Sequence, residues 1–225
     1  IAAAPPSNAG QFAMVHAGEF LVLCRGTTAV SIRPIFSDSR GPYPSGDVCH
    51  GSDNTLSGVS WQQMKGDNSG ANASIRVASR AKPVNLYGHR NQTSTRFTGA
   101  FVRDDLISAG DDRTLRRWSL PNAQEIWSTE LDMRAEYVSV YQNSVTVSDG
   151  KGSFAVYDVE SGEGLLRGLV SQDGLLVFTE QGFFVCAKCG TLFTGANLYD
   201  LQRPSEAFPL AALYDVFNRP DIVRS

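Results

Sequence analysis

Gly88-His89, followed by Leu106-Ile107-Ser108-Ala109-Gly110-Asp111-Asp112-Arg113-Thr114-Leu115-Arg116-Arg117-Trp118-Ser119-Leu120, is the stretch that decides the fold. Leu106 to Ser108 is a strand. Asp111 to Arg113 is a turn, because Asp side chains bond nearby backbone N–H groups and stabilise reversal. Thr114 to Leu120 is a second strand that contains Trp118. The neighbours extend the pattern. Phe97 to Val102 precedes, across the Asp104-Asp105 turn, and Glu125 to Leu131 follows Pro121-Asn122-Ala123. Four short strands with tight turns read as one antiparallel meander.

The pattern recurs. Tyr137 to Tyr141, Ser144 to Val147, Phe154 to Val159 and Leu165 to Leu169 form another unit of four, and Leu175 to Thr179 and Phe183 to Cys186 pair across Glu180-Gln181-Gly182. Upstream, Gln11 to His16, Glu19 to Cys24 and Thr27 to Ile32 are strand-length runs, with Val59 to Met64, Ser74 to Ala78 and Pro83 to Tyr87 after them. Ala78, Trp118 and Tyr157 hold equivalent places 40 and 39 residues apart, with Ser31 a fainter equivalent 47 residues before Ala78. A period near 40 with four strands per unit is the signature of a β-propeller, in which stacked blades cover one another's faces. The expected fold is all-β and β-propeller-like, partial or small, with four to five blades and a short C-terminal helix.

Gly88-His89, Ser108, Asp111 and Trp118 resemble the marker set of the WD-repeat β-propeller family. The resemblance implies that His89, Ser108, Asp111 and Trp118 form a buried hydrogen-bonded chain within one blade, a structural role and not a catalytic one. The other units depart from the set: Tyr157-Asp158 stands for Trp-Asp, and the unit ending at Ala78 has no aromatic there. Two segments near the end, Leu176 to Phe184 and Leu213 to Val223, are similar to a segment that closes bacterial WD-repeat proteins associated with caspase-like peptidase domains. No peptidase nucleophile motif accompanies them.

Residues 1–10 read as a flexible lead-in, 11–203 as the propeller-like domain and 204–225 as a helical tail. In the tail Leu210, Leu213, Tyr214 and Phe217 recur at helical spacing. From Phe36 to Gly58 periodicity disappears and Ser, Gly, Pro and Asp dominate, marking a loop insertion. Long loops in compact domains commonly carry function. Arg40 and Tyr43 in it, with Trp61 beyond it, are candidate binding residues.

Net charge is -3, which opposes binding of a phosphate backbone. Arg113, Arg116 and Arg117 alternate along a strand and read as solvated surface. No apolar run reaches the ~20 residues of a membrane-spanning helix. Cys24, Cys49, Cys186 and Cys189 permit two disulfides in three connectivities. Cys24 and Cys49 flank the insertion, so one bridge could staple it; Cys186 and Cys189 form a CxxC. A four-cysteine zinc site and free thiols remain the alternatives. The chain opens without Met on a small-residue and proline stretch, as expected of a processed or excerpted chain. With the cysteine pairs, this gives an extracytoplasmic expectation, periplasmic or secreted.

There is no phosphate loop, no dinucleotide fingerprint and no nucleophile elbow, and His16, His50 and His89 lack metal-ligand spacing. No catalytic residue, metal or cofactor is expected. The reading is a non-catalytic protein-binding or structural subunit of a larger assembly. Its partners would be other protein subunits, with no nucleic acid and no membrane span, and peripheral association with a membrane complex is allowed. The alternatives are a regulatory propeller from a caspase-like peptidase or sensor, and an enzyme with a site at the propeller mouth.

Overall fold

Strands such as Asp105–Ala109 and Ser144–Ser148 are buried along almost their whole length, so their sheets have a layer on both faces. The computed structural model describes residues 13–25, 28–36, 38–39, 47–49, 59–63, 73–77, 83–90, 98–171, 174–187, 197–200, 203–209 and 217–224. The first sheet is β1 (Ala13–Ala17), β2 (Phe20–Arg25) and β3 (Thr28–Pro34). The second is β4 (Val59–Gln63), β5 (Ala73–Val77) and β6 (Val84–Tyr87). The third is β7 (Thr98–Val102), β8 (Asp105–Ala109), β9 (Thr114–Ser119) and β10 (Gln124–Glu130). The fourth runs through β11 (Tyr137–Tyr141), β12 (Ser144–Ser148), β13 (Ser153–Asp158), β14 (Gly164–Val170), β15 (Leu175–Phe178) and β16 (Phe184–Ala187). A separate pair, β17 (Asn197–Asp200) and β18 (Arg203–Pro209), follows. Every sheet is an antiparallel meander whose spatial order follows the chain.

The sheets stack face to face. Ile75, Val77 and Leu86 of the second sheet pack on Leu106 and Trp118 of the third. The other face of the third sheet, Ile107 and Leu115 among it, meets Val145, Val147, Ala155 and Tyr157 of the fourth. The far face of the fourth, Phe154, Val156, Val177 and Val185, receives Met14 and Leu21 of the first. The first sheet in the chain thus seats against the fourth. The strands β7, β11 and β1, each the first of its sheet, run beside one another. First strands at a common centre, with sheets fanned outward from it, make the architecture β-propeller-like. Burying a side chain the size of Ile107 or Leu115 contributes about 2 kcal/mol, so these shared faces are what keep the blades together.

The strands lie close to where the sequence puts them, with three differences. Ala78, the expected equivalent of Trp118 and Tyr157, lies outside the described residues. The fourth sheet has six strands, because β15 pairs with β14 (Leu169 opposite Leu176) where a separate hairpin is expected. The tail opens on a strand, β18 at 203–209, and the helix α1 spans Pro220–Val223; residues 210–216, where Leu210, Leu213 and Tyr214 stand, lie outside the described residues. Pro220 at its start fits, since proline lacks the N–H that a helix leaves unpaired there. The third difference is at the cysteines, where the open alternatives narrow. Cys24 and Cys49 are joined across 25 residues, with Cα atoms 5.6 Å apart. Cys186 is disulfide-bonded too, which excludes a free thiol or zinc ligand there, and Cys189 lies outside the described residues.

Candidate functional site

The mid-chain unit is built around one hydroxyl. Trp118 on β9 is 1% exposed and faces the second sheet, with Leu106 as its cross-strand neighbour. A buried indole N–H needs an acceptor. It donates to Ser108 Oγ on β8 at 2.8 Å. Ser108 Oγ is also 2.8 Å from His89 Nε2, just beyond β6. Asp112 Oδ1 lies 3.1 Å from Nδ1, and a carboxylate can only accept, so Nδ1 carries the proton of the neutral ring. Nε2 is then an acceptor, and the Ser108 hydroxyl donates to it while accepting from Trp118. Asp112 then gathers the turn. It accepts from the Thr114 hydroxyl at 2.8 Å and from the Arg90 backbone N–H at 2.8 Å.

The carboxylate bound to His89 is therefore that of Asp112, one residue past the position the sequence suggests. Asp111 forms an ion pair with Arg134 at 3.3 Å. His89, Ser108 and Trp118 lie in one hydrogen-bonded chain with Asp112. Two glycines make room for it. A Cβ at Gly88 would sit 2.8 Å from Trp118 Cη2, and one at Gly110 would sit 2.5 Å from His89 Nδ1.

Burial pushes the His89 pKa down, against the opposing pull of Asp112, so the ring is neutral at pH 7. Burial works against the Asp112 carboxylate. The hydrogen bond from His89 outweighs it, with the Arg90 N–H and the Thr114 hydroxyl, and the pKa falls to about 2. A neutral imidazole and a fixed carboxylate resemble an acid–base pair, but here both ring nitrogens and both carboxylate oxygens are engaged by groups of the protein itself.

The fourth sheet lacks this chain. The residue placed like Ser108 is Val147, and Tyr157 stands for Trp118; both join the apolar core against the third sheet. Asp149 caps its own turn, accepting from Lys151 N–H at 2.8 Å.

A second polar cluster joins neighbouring blades. Arg117 on β9 is 6% exposed, not solvated surface as its alternating neighbours suggest. It bonds Asp105 at 2.8 Å in its own sheet, and Glu160 at 2.7 Å and the Val159 carbonyl at 2.9 Å in the next. A bulge between Glu125 and Trp127 turns Trp127 toward the same place, so its indole N–H donates to Val159 O at 3.0 Å. Arg116 is half-buried and paired with Glu125 and Asp112, while Arg113 is exposed. An aromatic beside an Arg on paired strands is too common a pattern to have marked this latch in the sequence.

The candidate contacts Arg40 and Tyr43 lie outside the described residues, and so does the side chain of Trp61, whose backbone is in β4. Exposed large apolar side chains do occur on outermost strands: Val30 on β3, Tyr87 on β6 and Ile126 on β10. Among the described residues no group of three or more His, Cys, Asp or Glu could hold a metal ion. No described helix is long and apolar enough to cross a membrane.

The fold is β-propeller-like. No protein-family model matches the chain, and no curated protein matches it. Among solved structures, it is similar to the WD40 domain of coronin from Toxoplasma gondii at 16% identity and a TM-score of 0.35, covering 58% of this chain and 40% of that domain. It is similar to BamB from Moraxella catarrhalis at 10% identity and a TM-score of 0.31, covering 78% of this chain and 60% of BamB. For a crystallised HIRA fragment the values are 12% and 0.37, covering 74% of this chain and 62% of the fragment. Likenesses this distant say nothing of activity or partners, and the propeller description rests on the stacking of the chain's own sheets.

Proposed function

We propose that the chain is a non-catalytic scaffold, a protein-binding or structural subunit of a larger assembly. One observation carries this reading. The residues with acid–base capacity at mid-chain, His89 and Asp112, are used up holding a blade together, while Val30, Tyr87 and Ile126 leave apolar surface open on outer strands. Outer strands offer unpaired backbone groups beside those side chains, which suits association with another chain. The loop insertion at 36–58, with Arg40 and Tyr43, and Trp61 beyond it, would extend that surface. The Cys24–Cys49 disulfide supports an oxidising, extracytoplasmic compartment.

The test is the native mass of the endogenous protein, followed by reciprocal tagging of whatever accompanies it. A stoichiometric complex is expected, weakened in a Tyr87→Ser, Ile126→Ser double variant or when residues 40–46 become a Gly/Ser linker. A monomeric endogenous protein would overturn the reading.

A narrower reading is a regulatory propeller of a caspase-like peptidase or sensor. The two segments that carry this resemblance meet in space. Phe184 bridges Asn218 in parallel, Arg219 N–H donates to Phe184 O at 3.0 Å, and the Phe183 and Phe217 rings are 6.1 Å apart. A peptidase domain in the same reading frame would support it.

A further inference from the structure

The first and fourth sheets do not close on each other completely. Between them, beside α1, lies a cavity of about 520 Å³, a size that ordinary small-molecule sites have. Its wall is mainly apolar: Ile35, Phe36, Leu165 and Leu166 line it from the two sheets, with Ile222 from the helix. Two wall residues hold polar atoms with no hydrogen-bond partner, Thr179 Oγ1 and His16 Nδ1. Thr179 is only 8% exposed, at the end of β15. Buried polar atoms are nearly always satisfied, so two orphans in one wall call for a partner that the protein itself does not supply.

The charges of the wall are already matched. Glu19 pairs with Arg224 at 3.4 Å, and Glu180 with Arg167 at 3.0 Å. Arg224 also bonds Asp38 and lies over the Phe36 ring, 4.1 Å from its centre. His16 is neutral, because burial pushes its pKa down to about 4. Among the described residues of the wall a charged guest would find no free counter-ion, and desolvating it would be costly.

We propose that this cavity binds an uncharged, largely apolar small molecule bearing one hydroxyl or amide group, which bonds the Thr179 hydroxyl and the His16 imidazole. The site goes beyond the scaffold reading and stands apart from the Trp118 blade.

The probe is N-phenyl-1-naphthylamine, titrated into the full chain at pH 7 and read by fluorescence. Saturable binding of one molecule per chain is expected. Leu165→Trp, at a position already 42% exposed and so compatible with folding, should weaken it at least tenfold by filling the mouth. Displacement by 2-naphthol against naphthalene then reads the polar contact. The native chain should favour the naphthol about fivefold, the size of one neutral hydrogen bond. Thr179→Val, which keeps the shape, should lose that preference without changing naphthalene displacement. Circular dichroism melts would show both variants folded. Unsaturable binding, equal binding by folded Leu165→Trp, or a preference for the naphthol that survives Thr179→Val would each overturn the proposal.

Discussion

Trp118 and His89 share the hydroxyl of Ser108, each 2.8 Å from it, with their rings 5.9 Å apart and tilted. One oxygen thus links a strand, its neighbour and the segment entering the blade. Ser108→Ala removes the partner of two buried ring nitrogens at once. Leaving a buried group unsatisfied costs about 1–3 kcal/mol, so a loss of about 3 kcal/mol is expected. Urea unfolding measures it, and a loss under about 0.5 kcal/mol would show that the three side chains are not coupled.

The choice of carboxylate is separately testable. Asp112→Asn replaces an acceptor that holds His89, Thr114 and Arg90, whereas Asp111→Asn touches an ion pair whose Arg134 is 59% exposed. Exposed pairs contribute about 0–1 kcal/mol. The variant at 112 should melt well below the variant at 111, and the opposite ranking would place the wrong aspartate in the chain.

Arg117 ties the third sheet to the fourth with its guanidinium almost wholly inside. Arg117→Ala leaves Asp105 without its partner and removes one of the two donors to Val159 O, at a cost of about 3 kcal/mol. Glu160→Gln should cost less than about 1 kcal/mol, because Glu160 is 53% exposed and solvent replaces the lost pair. Denaturant midpoints of the two variants, compared with the native chain, check this asymmetry.

What the sequence disclosed followed from physical signals of differing strength. Strand positions were legible because alternation and turn residues act within a few residues of each other. The third unit was the clearest, since only a buried polar chain demands His, Ser, Asp and Trp together. The choice between Asp111 and Asp112 was not legible, because two adjacent aspartates in a turn differ only in which way the turn points them. The attachment of β15 to β14 also escaped, since strand pairing leaves no local mark. Arg117 read as surface because burial of a cation depends on acids in another sheet, Glu160 among them. The fourth sheet's Val147 and Tyr157 show why a repeat can lose its markers and still fold: an apolar pair fills the space without any polar chain to satisfy.

His16 makes stability depend on pH. Its folded pKa, pushed down by burial to about 4, lies below its ordinary 6.5. A group depressed in this way stabilises the fold fully above 6.5, and that contribution disappears as pH falls toward 4, because the unfolded chain takes up the proton first. The difference amounts to about 3 kcal/mol. Asp112 adds a second window, from 3.8 down to about 2, of the same sign. Melting temperatures should therefore drop between pH 6.5 and 4. The drop should be smaller in His16→Gln, with the remainder coming from His89, whose pKa burial also pushes down, and an unchanged profile in that variant would assign the loss elsewhere.

The Cys24–Cys49 bridge ties β2 to the 3₁₀ turn Asp47–Cys49, where Val48 and Cys49 are buried against Val15 and Tyr137. Its closed loop spans 25 residues, and cross-linking such a loop restricts the unfolded chain by about 3 kcal/mol. A Cys24→Ala, Cys49→Ala double variant should lose about that much. Because the turn covers the first sheet near β11, the loss should also raise amide exchange in β1 and β2 above that in β8 and β9. Uniform acceleration across all sheets would mean that the bridge acts on the unfolded chain alone. Acceleration confined to the first sheet would show that it also holds the blade to the hub.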